Sequence, residues 1–86
     1  MIVDVYEQFL DEINGSREYV KFAVKNKGDR DVCNMYMEMA KNEIEHASKL
    51  MGMAKRMSSG DSSYDILIKV MDRQMVEAKA FMNSVE

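Results

Sequence analysis

The chain has 86 residues, enough for one small domain with a limited core. Its net charge of −3 argues against nucleic-acid binding, which needs a basic stripe, and its single cysteine, Cys33, rules out an intramolecular disulfide. With no proline and four glycines, only clusters of glycine and serine interrupt the helical runs, so an all-α fold of long helices and short turns is expected.

The first helix is predicted over residues 3–26. Val5, Phe9, Glu12, Ser16, Tyr19 and Ala23 recur at three- and four-residue steps, with Ile2, Ile13 and Val20 beside them. Gly15 lies inside this helix at a cost of about 1 kcal/mol relative to alanine. It either admits a close neighbour or marks a local irregularity. Lys21, Lys25 and Lys27 complement the helix C-terminus. Asn26-Lys27-Gly28-Asp29 reads as a stop and restart, with Gly28 as a left-handed cap and Asp29 or Asp31 as the next N-cap.

The second helix is predicted over 30–57, with a core stripe of Val32, Tyr36, Met39, Glu43, His46, Leu50, Ala54 and Met57. Cys33 falls in an apolar run and reads as a small core residue. Glu38 and Glu45 point away from Glu43 and read as solvated surface charges. Ser58-Ser59-Gly60-Asp61-Ser62 is the second break, and Ser62-Ser63-Tyr64-Asp65 resembles a capping box with Asp in place of Glu. The third helix, 63–85, is expected to bury Tyr64, Ile68, Met71, Met75 and Met82, with Leu67 and Ala78 alongside. Ten methionines suit adaptable helix–helix contacts, including contacts between subunits. One domain, 1–86, accounts for the whole chain.

Polar residues on apolar stripes carry the functional signal. Glu12 interrupts the first stripe, while Glu43 and His46, the only histidine, interrupt the second one turn apart. Counted from Gly28, Glu12 lies sixteen residues back and Glu43 fifteen forward, so an antiparallel hairpin brings them to one height. A buried carboxylate needs a compensating partner. A Glu together with Glu-x-x-His supplies half of a carboxylate-bridged dinuclear metal centre. The plainer alternative is that Glu12 pairs with a lysine while Glu43 and His46 hydrogen-bond each other.

The hairpin from Glu12 to Leu50 resembles the first hairpin of the rubrerythrin branch of the ferritin-like superfamily. Glu12 is followed by Tyr19 and Phe22-Ala23, and the second helix reads Glu38-Met39-Ala40-Lys41-Asn42-Glu43-Ile44-Glu45-His46-Ala47. The resemblance implies that Glu12 is a terminal iron ligand, Glu43 the bridging carboxylate and His46 a terminal ligand. Tyr19 would then hydrogen-bond the ligands, or stand as a half-buried core tyrosine with its hydroxyl in water. It further implies a di-iron site with two irons per dimer, manganese being an alternative, that oxidises Fe(II) with dioxygen or peroxide as a ferroxidase or peroxidase.

The family's full chains carry the pattern twice on four helices. Here there is no second Glu-x-x-His and no rubredoxin-like module, so a separate electron donor is an open requirement. Asp72, at the edge of the third stripe, is an open candidate for a further ligand. A homodimer, or a larger homo-oligomer, would supply the missing half-site and complete a four-helix bundle, as in small encapsulin-associated ferritins. No encapsulin-targeting tail is recognisable after Ala80. No apolar run reaches the ~20 residues of a membrane span, and the start lacks a signal-peptide pattern, so a cytoplasmic protein with no membrane partner is expected. Two other readings stand beside this one: a non-catalytic helical assembly module that keeps the hairpin, and a protein that stores or senses metal without turnover.

Overall fold

Gly60, between the second and third helical runs, has φ at +81°, in the left-handed region that glycine enters without penalty. The computed structural model describes residues 1–85. Among them run three α-helices: α1 (Ile2–Lys25), α2 (Arg30–Met57) and α3 (Asp65–Asn83). A single 3₁₀ turn, Ser62–Tyr64, precedes α3. The all-α expectation holds, with helix ends shifted by one or two residues at α1 and α3. No helix is long and apolar enough to cross a membrane.

The turns are closed differently from the expectation. Gly28 has no positive φ and is not a left-handed cap. Instead the side-chain amide of Asn26 donates to the Phe22 carbonyl at 2.8 Å, and its backbone N–H reaches the same carbonyl at 3.1 Å. With that carbonyl satisfied, the turn needs no left-handed residue. Asp29, not Asp31, is the N-cap of α2 and accepts from the Val32 N–H at 3.2 Å. At the second turn the Ser62–Asp65 capping box does not form. Asp61 caps instead, accepting from the backbone N–H and hydroxyl of Ser63 at 3.0 and 2.6 Å.

α1 and α2 form a long antiparallel hairpin, and α3 folds back along one side of it. Asp72 lies 3.4 Å from Lys55 of α2, Glu77 lies 4.0 Å from Arg17 of α1, and Val85 ends beside Cys33 and Met37. These exposed ion pairs mark the docking of α3 more than they stabilise it. Apolar burial does that work. Phe9, Val20 and Ala23 of α1, Ala40, Ala47 and Ala54 of α2, and Met71 and Met75 of α3 are buried together in one cluster. The three alanines recur every seven residues and let the helices approach closely. Ser16, the one buried polar residue among those described, satisfies its hydroxyl on the Ile13 carbonyl at 2.7 Å.

Of the stripe expected to form the α2 core only Ala54 is buried, and the core otherwise lies one residue on. Met37, Ala40, Ile44 and Ala47 are buried, while Val32, Tyr36, Met39, Glu43 and Leu50 are only half-buried and His46 and Met57 are exposed. The cause is the docking side of α3. It covers the flank of α2 that carries Met37 and Lys55, leaving the adjacent flank open. Similarly Tyr64, Ile68 and Leu67 are partly rather than fully buried. Cys33 is half-buried against the core. The molecule is consequently elongated and flat, 49 × 19 × 14 Å.

Candidate metal centre

Glu12 projects from the middle of α1, and Glu43 and His46 from the middle of α2, one turn apart. The hairpin register brings them together as expected. One ligand atom from each residue lies within 4.8 Å of the other two. Nδ1 of His46 stands 3.4 Å from Oε2 of Glu12 and 3.8 Å from Oε1 of Glu43. Two atoms ligating one cation at about 2.0–2.2 Å are themselves roughly 3–4 Å apart, so these separations fit a shared ion.

Burial is graded across the group. The side chains of Glu12 and Glu43 are 26% and 25% exposed, and that of His46 is 52% exposed. Oε2 of Glu12 is buried and has no hydrogen-bond partner. The imidazole beside it does not line up as a donor, and an ionised Glu43 has no proton to give. Native proteins rarely leave a buried carboxylate oxygen in this condition, because its lost hydration is uncompensated. A cation between Glu12, Glu43 and His46 would compensate it, so the donor set fits a metal.

The electrostatics agree with the crowding. Glu43 holds its proton above the usual carboxylate range, first because burial disfavours the charged form. A proton on Glu43 can also hydrogen-bond Glu12, and the Glu12 charge repels a second one, while His46 opposes both effects. The basic group beside Glu12 is the His46 ring rather than a lysine. Glu38 and Glu45 are exposed, as expected.

The other candidates fall elsewhere. Asp72 belongs to the surface pair with Lys55 and is not in the cluster. Tyr19 stacks on Tyr36 with ring centroids 6.2 Å apart, and Phe22 stacks on Tyr36 at 5.4 Å. Tyr19 thus serves as a half-buried aromatic in this trio. Of the two explanations for Gly15, a close neighbour is the one found, and it is the end of the Glu43 side chain. A Cβ there would stand 2.6 Å from Oε2 of Glu43. Its signal was a lone glycine, in mid-helix, one turn beyond Glu12.

A second apolar stripe borders the site. Along α2, Val32, Tyr36, Met39, Leu50, Met53 and Met57 alternate at four- and three-residue steps, with Glu43 and His46 at the centre of the series. Met53 and Met57 are 41% and 45% exposed, and Phe22 of α1 is 40% exposed. A mean repeat of 3.5 residues is the seam of a supercoiled helix pair. No family model, curated protein or solved structure matches the chain.

Proposed function

We propose that this protein is a di-iron carboxylate protein whose metal site is shared between two copies of the chain. The observation that carries the reading is the buried Oε2 of Glu12, which accepts no hydrogen bond and faces Glu43 and His46 within 4.8 Å. Three protein ligands make an incomplete set, and the apolar stripe running through them is left uncovered by α3. A second copy related by a two-fold axis would answer both deficits, giving four Glu and two His in a four-helix bundle. Each subunit's α3 would pack outside that bundle.

Bound iron would supply the electron-transfer chemistry for reducing dioxygen or peroxide, with further Fe(II) or a separate donor as the reductant. The residues divide the remaining work. Glu12 and Glu43 would offset the cationic charge. His46, the most exposed of the three, presents its ring at the open flank where solutes arrive. Ferritin-like ancestry of the rubrerythrin type remains part of this proposal, as does a reducing, cytoplasmic setting, which suits Cys33 and a ferrous ion.

A second reading is favoured by one observation. The 3.4 Å approach of His46 to Glu12 could form an ion pair without metal, leaving the hairpin as a non-catalytic assembly module. Anaerobic Fe(II) titration of metal-free protein, followed by air and read by near-ultraviolet absorbance and sedimentation, separates the two. Two irons per dimer, tighter dimerisation with metal, and an oxo-ferric band lost in His46→Ala support the di-iron reading. Failure to bind iron, with dimerisation indifferent to metal, would replace it with the assembly module.

A further inference from the structure

Gly15 stands in an unbroken stretch of α1, and its backbone does not have the positive φ that would demand glycine. Helix propensity argues for almost any other residue there. What glycine provides at this position is the absence of a side chain. A Cβ would lie 2.6 Å from Oε2 and 3.4 Å from Cδ of Glu43, whereas Cβ atoms on Gly28 and Gly52 would meet nothing within 4 Å. The Glu43 carboxylate therefore occupies a notch in the surface of α1, one helical turn from Glu12.

From this geometry we infer that Gly15 is a positioning residue for the metal centre, its missing Cβ seating the Glu43 carboxylate against α1 beside Glu12. The inference rests on the metal-site reading given above and adds a determinant that makes no contact with the ion. Ordinary contact begins at 3.4 Å, so an alanine methyl would push Oε2 back by about 0.8 Å. Metal–ligand distances tolerate only about ±0.2 Å, so that retreat is enough to spoil the shared site. The clash falls on the far end of a flexible side chain, which can swing aside, so the fold accepts the methyl.

The affinity and the fold should thus respond in opposite directions. Gly15→Ala is compared with wild type and with Gly52→Ala, a control glycine in α2 with open space around it. Each is titrated with Co(II), its metal-free thermal midpoint is measured, and its visible Co(II) spectrum is recorded at saturation. Both variants should melt at or above the wild-type temperature, by up to roughly 4–8 °C, because alanine is the better helix former. Gly52→Ala should bind Co(II) as wild type does, with a superimposable spectrum. Gly15→Ala should bind about ten- to a hundredfold more weakly, as when groups that orient ligands are lost, and its saturated spectrum should change.

Binding by Gly15→Ala within twofold of wild type, with an unchanged spectrum, would overturn the notch and leave the metal site standing. Absence of Co(II) binding in all three proteins would overturn both. Unfolding of Gly15→Ala alone would also overturn the inference, since the methyl would then be meeting something that cannot yield.

Discussion

Replacing Glu43 with glutamine should make the metal-free protein more stable and the metal-loaded protein less so. In wild type at neutral pH two carboxylates face each other with ligand atoms inside 4.8 Å. At an effective dielectric constant near 20, like charges at that separation repel by about 3.5 kcal/mol. Water on the open flank and the neighbouring His46 reduce this, and with a quarter of each side chain exposed about 1 kcal/mol is a reasonable remainder. A glutamine amide would also give the orphaned Oε2 of Glu12 a donor. For a domain of this size each kcal/mol raises the melting temperature by roughly 4–8 °C.

The pH dependence fixes the sign. Because the native state raises the Glu43 pKa above its reference of 4.5, the unfolded chain ionises first as pH rises. Wild-type stability from this group is therefore greatest below pH 4.5 and falls as pH climbs through and above that value. The stability gap between Glu43→Gln and wild type should be small at pH 4 and open steadily toward pH 7. Thermal melts in chelator at unit pH steps measure it. Adding metal should invert the order, since wild type gains about 2.7 kcal/mol at a hundred times its Kd and the variant gains little. A gap equal at pH 4 and pH 7, or a metal-free variant that melts below wild type at neutrality, would refute the reasoning.

Other substitutions probe the fold and the open flank separately. Met53→Glu, on the exposed α2 stripe, should weaken dimerisation at least tenfold in sedimentation while leaving the monomer's far-ultraviolet circular dichroism unchanged. Phe9→Ala empties a fully buried position and should cost about 3–5 kcal/mol in urea unfolding, a large part of the stability of so small a domain. Asp29→Ala removes the α2 cap and should cost about 1 kcal/mol by the same assay, with metal affinity unaffected because the cap is far along the helix from Glu43.

Sequence made the helices and the register of the ligands legible, because both depend on local signals. Gly60 and its serine neighbours can only break a helix, and matched distances from the first turn place Glu12 opposite Glu43. The core face of α2 was harder to read for a physical reason. Its apolar residues come in adjacent pairs: Val32-Cys33, Tyr36-Met37, Met39-Ala40, Leu50-Met51 and Met53-Ala54. Two neighbouring stripes result, and the docking side of α3 decides that Met37, Ala40 and Ala54 face inward, while both members of Val32-Cys33 and Leu50-Met51 stay half-buried. The cap at Asp61 was obscured by Ser62, which offered a capping-box pattern with Asp65 one residue later. The role of Gly15 depends on where a side chain of another helix ends, and no local pattern encodes that.

The placement of the ligands along the hairpin governs how they could be lost. Glu12 lies ten residues from the start of α1, and Glu43 lies thirteen from the start of α2. Helices open from their ends, where hydrogen bonds fray at little cost, and the middle of a hairpin opens last. Unzipping from the turn at Asn26, or from the far ends, must therefore undo roughly three to four turns of each helix before the carboxylates part. A cation held there would sit where fraying from the helix ends arrives late, and its ordinary exit would be sideways, past His46.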